Sequence, residues 1–200
     1  MEKTTMKIDP KRRALSVCLA CGWTAAVAPA GAASVNPFEP STMVQGTSLR
    51  LNGSGTRYRL MFKVYDLGLY LPRRATTPEE AIDMAGPKRL AFVALRELPG
   101  TDLGVAFIKG LQANNPADLV QRHAVSSARL IDIFSGKSKL VSGDTFAMDF
   151  VPGKGTQFLI QGQPQGAPVG DAEFFAMVLR IWLGPQPADR ALRDALLAGA

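Results

Sequence analysis

Apolar and polar positions alternate from Val44 to Leu71 with the period of a strand; Gly53 and Gly55 mark a turn or bulge, and Pro72 ends the run. Residues 56–71, TRYRLMFKVYDLGLYL, read as one long strand. On it Arg57, Arg59 and Lys63 share a parity with Met61, Tyr65, Leu67 and Leu69, while the other parity begins with Tyr58, Leu60, Phe62 and Val64 and then meets Asp66 and Gly68. A face that carries cations and then turns apolar is either a solvated edge or the head-group end of a cleft.

Further along, Thr77-Pro78-Glu79-Glu80 opens a short helix, with Thr as N-cap, Pro at the first helical position and acids in the first turn; it ends near Gly86-Pro87. Residues 89–97, RLAFVALRE, have too few polar positions for an exposed face and read as a buried strand. Thr101 then caps a helix on which Leu103, Ala106, Phe107, Gly110 and Leu111 share one side, stopped by Asn114-Asn115-Pro116. The pattern from Ala117 to about Phe134 predicts one more helix. TFAMDFVP and TQFLIQG, linked by Gly153-Lys154-Gly155, form a β-hairpin, and residues 163–170 a loop. Asp171 caps a helix with a wide apolar stripe of Phe174, Phe175, Val178, Leu179 and Trp182, ended by Gly184-Pro185. Pro187 and Asp189 introduce a last amphipathic helix with Leu192, Ala195 and Leu196 on one side. Strands and helices are grouped rather than strictly alternating, which predicts an α+β domain: an antiparallel sheet with helices over one face.

Charge and cysteine content change the picture mainly at the N-terminus. Residues 1–13 carry Lys3, Lys7, Lys11, Arg12 and Arg13; residues 14–28, ALSVCLACGWTAAVA, are small and apolar; Ala30-Gly31-Ala32 supplies a small-x-small site. Basic region, apolar region and cleavage site stand in the order of an export signal. The expected organisation is therefore a signal peptide over 1–32, a Pro-containing leader over 33–43 and one domain over 44–200, exported to the periplasm or beyond after cleavage near Ala32. An uncleaved membrane anchor and a lipoprotein signal at Cys21 are the alternatives. Apolar residues continue past Cys21, and the aliphatic residue usual three positions ahead is missing. Cleavage removes both cysteines, and with them disulfides, thiol nucleophiles and thiolate metal sites. The formal charge of +6 drops to +3, so basicity is poor evidence for a nucleic-acid partner.

The usual signatures of chemistry fail one by one. His123 is the only histidine and, without a partnering acid, reads as a satisfied polar residue. There is no G-x-S-x-G elbow. Gly136-Lys137-Ser138 lacks the glycine a phosphate loop needs, since Ile131 stands there, and Gly53-x-Gly55 precedes a strand with Tyr58 in place of the third glycine of a dinucleotide loop. Acids are scattered, so no metal site and no cofactor is expected.

The segment GSGTRYRLMFKVYDLGLYLP resembles the chalcone isomerase superfamily, in particular its bacterial chalcone isomerase-like members and its plant fatty-acid-binding relatives, which carry a G-x-G-x-R strand followed by a K-V-Y-x-x-G-x-Y-like strand. ALRELPGTDLGVAFIKGL resembles that family's strand, R-E-L turn and helix, and FFAMVLRIWLGPQPADRALRDALL its last two helices. The resemblance implies an open-faced antiparallel sheet backed by helices, with a ligand cleft between the layers. It also implies a role for Arg57, which matches the motif arginine that meets a phenolate in the isomerases and a carboxylate in the fatty-acid-binding relatives.

Departures from that pattern bear on activity. The isomerases' helix tyrosine and asparagine fall at Leu103 and Gly110, and their strand threonine at Tyr65. Leucine and glycine side chains neither donate nor accept. Losing preorganised donors of this kind costs about 3 kcal/mol each in transition-state stabilisation. No catalytic residue is assigned, except Arg57 were the protein an isomerase.

The leading expectation is a non-catalytic exported protein that binds a fatty acid or similar amphipathic carboxylate. Arg57 and Tyr65 would hold the head; Leu103, Phe107 and Gly110, together with Phe174 and Val178, would line the cleft; Leu67 and Leu69 would continue its wall along the strand. Arg59 and Lys63 are left to solvent. An intramolecular lyase or isomerase acting on a chalcone-like enone is the second reading. A module whose cleft is filled by its own side chains, with another protein or a membrane surface as partner, is the third.

Overall fold

The computed structural model describes residues 36–198 together with Met1; the segment read as an export signal lies outside the described residues. Seven strands form one antiparallel sheet: β1 Ser41–Val44, β2 Thr47–Arg59, β3 Phe62–Leu71, β4 Lys88–Ala94, β7 Thr145–Val151, β8 Gly155–Ile160 and β9 Gln163–Pro164, in the spatial order β1-β2-β3-β4-β7-β8-β9. β5 Leu98–Pro99 and β6 Lys139–Leu140 pair separately. Six helices complete the α+β fold: α1 Pro78–Asp83, α2 Gly100–Asn114, α3 Ala117–Arg122, α4 Ala124–Ser135, α5 Ala172–Leu183 and α6 Arg190–Ala198. The main core joins the helices to one sheet face, with Leu67, Leu69, Phe92 and Met148 below and Phe174, Val178 and Leu111 above. A smaller cluster of Phe38, Val44, Leu49, Leu51 and Tyr70 lies apart from it. Gly68 leaves the space that the Phe38 ring fills, and Tyr70 Oη donates to the Glu39 carbonyl at 2.9 Å.

Local chemistry explains most element ends. The Thr77 side chain accepts from Glu80 N and Asp171 Oδ1 from Phe174 N at 2.9 Å, so both expected caps form. The 145–160 hairpin turns through Gly153 and Gly155, both at positive φ. Asp189 Oδ1 accepts from Leu192 N at 3.1 Å and starts α6.

Five expectations need correction. The loop expected over 163–170 gives its first two residues to β9, which pairs with the end of β8. Thr101 does not cap α2: the helix begins at Gly100, because Pro99 precedes it and Gly100 N donates to the Ser138 carbonyl. The helix expected over 117–134 breaks at His123 into α3 and α4. The extended segment before residue 44 gives its last three residues to β1, which turns into β2 at Gln45-Gly46.

The largest correction concerns residues 56–71, which form a hairpin rather than one strand. β2 ends at Arg59, Leu60-Met61 make the turn, and β3 begins at Phe62. Leu60 holds φ 57°, a left-handed conformation that costs a leucine about 1 kcal/mol. Arg57 and Arg59 thus belong to one strand and Lys63 to the next, which dissolves the shared parity.

Two bulges set the faces of this hairpin. Leu51 pairs with Tyr70 and Gly53 with Leu69, which leaves Asn52 as the extra residue of β2. Arg57 pairs with Tyr65 and Tyr58 with Lys63, which leaves Val64 as the extra residue of β3. The second bulge brings Arg57 directly opposite Tyr65.

Candidate ligand-binding site

A cavity of about 610 Å³ lies between the sheet and α2, roofed at one end by the C-terminal part of α5. Its floor is Tyr65 and Val64 of β3, Phe92 of β4, and Phe146 and Met148 of β7. Leu103, Phe107 and Gly110 of α2 face it, as do Ile181 and Trp182 of α5. Arg59, Arg96, Glu97, Asp102 and Lys109 reach the lining as well, so charge is added to an otherwise apolar interior. Volume and lining suit a small organic ligand, for which pockets run roughly 300–1,000 Å³.

Arg57 is the polar centre of this space. Its guanidinium carbon sits 5.4 Å from the Tyr65 ring centroid, within cation–π range. Its Nε is buried, and among the described residues it has no hydrogen-bond partner. Such an atom normally finds an acceptor, because an unpaired buried donor costs about 1–3 kcal/mol, and more when charged.

Tyr65 is 3% exposed, and its Oη accepts from Trp182 Nε1 at 2.8 Å. Burial pushes its hydroxyl above the ordinary 10.0; the Arg57 charge and the Trp182 bond pull the other way and lose. The phenol therefore keeps its proton at neutral pH. With Trp182 occupying an oxygen lone pair, that proton is free to be donated. Beside it the aromatic floor continues: Tyr65 meets Phe92 edge-on at 5.3 Å, and Phe92 stacks on Phe146 at 4.2 Å. One wall of the cavity thus offers a guanidinium N–H and a phenol O–H, its floor is hydrocarbon and aromatic surface, and Arg59, Arg96, Glu97, Asp102 and Lys109 add charge elsewhere in the lining.

All five candidate residues Arg57, Tyr65, Leu103, Phe107 and Gly110 meet at this cavity. The route by which Arg57 and Tyr65 meet differs from the expected gradient along a strand, since they are partners across a hairpin. Leu67 and Leu69 are fully buried core rather than cavity wall, and Phe174 and Val178 likewise pack in the core away from it. Gly110 has a second role. A Cβ there would come 2.7 Å from Ile181 Cγ2, so its bareness seats α5 against α2. Arg59, assigned to solvent, is exposed yet reaches the cavity; Lys63 is exposed and does not.

Trp182 is the site residue that the sequence reading left in a core stripe. A buried indole N–H needs an acceptor, and that requirement was the available signal. His123 is 8% exposed, and its Nε2 lies 2.9 Å from Glu173 Oε2, remote from the cavity.

The fold and this cavity define an α+β protein with an amphipathic cleft between a curled sheet and its helices. The chalcone isomerase-like family profile matches residues 32–198, and the chain belongs to that family. Among solved structures it is similar to the Arabidopsis thaliana fatty-acid binding protein AtFAP1, at 16% identity and a TM-score of 0.59, over 78% of this chain and 95% of that one. The comparison with curated proteins gave no match.

Proposed function

We propose that the protein binds a fatty acid or a similar amphipathic carboxylate, without catalysis, in the cavity between sheet and helices. The observation that carries this reading is the buried Arg57 Nε, unpartnered among the described residues, beside Tyr65 at one wall of a hollow with an apolar floor and charged residues in its lining. A guanidinium keeps its charge at ordinary pH, so burial cannot neutralise it, and an anion completes it. A carboxylate accepts from Arg57 and from Tyr65 Oη. The acyl chain then lies over Phe92, Phe146, Met148 and Phe107, where each buried methylene contributes about 0.8 kcal/mol. The name of the similar plant protein supports the same ligand class. Isomerisation of an enone is disfavoured because Leu103 and Gly110 bring no polar side chain to the helix wall.

The proposal includes export. Its support is the basic, apolar and small-residue order of residues 1–32.

Mass spectrometry of the protein purified from its native compartment reads both parts: a chain shortened near Ala32, and a bound acyl carboxylate. Titration with a long-chain fatty acid and with the alcohol of equal length then tests the head group. Arg57→Met is expected to weaken the acid about 10–100-fold, to leave the alcohol unchanged, and to leave the ligand-free protein at least as stable, since it removes an unpaired buried donor. Equal affinity of wild type and variant for the acid would overturn the reading, as would turnover of a bare chalcone.

A further inference from the structure

The tip of the β2–β3 hairpin exposes apolar side chains that the cavity does not use. Leu60 is 92% exposed, Met61 83%, Phe62 58% and Tyr58 44%. They sit on six consecutive residues, 58–63, together with Arg59 and Lys63 and with no acid among them. Soluble surfaces scatter such residues singly; a contiguous group marks an interaction site. Leu60 also holds its left-handed φ of 57° at the turn, where a glycine or asparagine would sit without strain. The sequence thus keeps a bulky apolar side chain at the apex against its backbone preference.

From these observations we infer that the Tyr58–Lys63 hairpin tip inserts into the surface of an anionic lipid bilayer and docks the cavity there. The inference deepens the lipid-binding reading and rests on it for its purpose, since a bilayer is where an acyl chain is collected or delivered. Charge selects the occupant. Two cations flank an apolar apex, so Leu60 and Met61 enter the acyl boundary while Arg59 and Lys63 meet lipid phosphates. The shape agrees: a two-residue turn between paired strands is too narrow to fill the broad interface a stable protein partner needs. Continuity with the site agrees as well, because Arg59 belongs both to the tip and to the cavity lining. Tyr58 N donates to Asp189 Oδ2 at 2.9 Å, which fixes the base of the tip against the start of α6.

The test uses the full chain with vesicles of phosphatidylcholine alone or containing phosphatidylglycerol. Because residues 14–33 are themselves apolar, the readout is local: Met61→Trp in vesicles carrying bromine-labelled acyl chains. The added tryptophan emission is expected to be quenched beyond that of the wild-type tryptophans, with anionic vesicles only and less at high salt. The double variant Leu60→Asn/Met61→Trp is expected to lose most of that added quenching, since the neighbouring apolar anchor is gone. Its affinity for a soluble fatty acid is expected to stay unchanged. An unquenched Met61→Trp, or equal quenching in the double variant, overturns the inference and leaves the patch to a protein partner. Neither result touches the cavity reading, which the fatty-acid titration of Arg57→Met decides on its own.

Discussion

The β2–β3 hairpin is one pair of strands under two different roofs. At its closed end α6 lies directly on it. A Cβ on Gly53 would overlap the Ala195 and Leu196 carbonyls, and one on Gly55 would come 2.9 Å from Ala195 Cβ. The bulge residue Asn52, 2% exposed, is fully paired there: Nδ2 donates to the Ala75 and Leu196 carbonyls at 3.0 and 2.8 Å, and Oδ1 accepts from Ala75 N at 2.7 Å. At its open end a second bulge presents Arg57 to a cavity with its Nε unpaired. Both ends place polar atoms out of water at a bulge, the whole Asn52 side chain at one and Arg57 Nε at the other. Where a helix rests on the sheet, backbone carbonyls satisfy them and the group stabilises the fold. Where the helical layer lifts away, nothing in the described chain satisfies them, and the group is available to a ligand.

If that contrast is right, damage at the closed end is structural. Gly53→Ala is expected to cost about 3 kcal/mol in chemical denaturation, because α6 must move off the sheet. A cost near zero would mean that α6 is not seated there. Asn52→Ala is expected to cost about 2 kcal/mol by the same measurement, since it strands a buried amide and two carbonyls.

Lys88 sharpens the comparison from a third position. It is 4% exposed, donates from Nζ to the Ile82 carbonyl at 2.6 Å, and burial depresses its pKa from 10.5 to about 8. Between those values the unfolded chain holds a proton that the folded chain has released, so this group makes stability rise with pH across that window. From pH 7 to pH 9 the rise is about 1 kcal/mol. Lys88→Met is expected to lack it, read as the difference between two pH–stability curves; parallel curves would break the argument. A buried lysine can shed its charge in this way and an arginine cannot, so the proposed anion is the route left for pairing the buried Nε of the half-buried Arg57.

Legibility in the sequence followed the range of the interaction. The hairpin of β7 and β8, the caps at Thr77 and Asp171 and the stop after Asn115 are written in neighbouring residues, and the structure reproduces each. The turn at Leu60-Met61 carries no Gly, Asn or Asp to mark it, so two strands read as one. The break at His123 is equally silent, since nothing in residues 117–134 forbids a continuous helix.

The site divides along the same line. Arg57 and Tyr65 stood out because they match the motif positions of the resembled family; the pattern of cations beside apolar neighbours by itself marked Arg59 and Lys63 equally. Trp182 did not, because its N–H is satisfied by a residue 117 positions away. Leu67 and Phe174 were mistaken for cavity wall because an apolar side chain looks the same whether it faces a neighbour or a void.

The sequence by itself determined the α+β class, most of the elements and the cation and phenol of the candidate site, since periodicity, capping and charge act over a few positions. Only the tertiary structure decided which strand each cation occupies, that a bulge brings Arg57 across from Tyr65, and that α6 closes over Gly53 while Arg57 opens on a cavity. Those outcomes depend on pairing register and layer packing, which are settled between residues far apart in the chain.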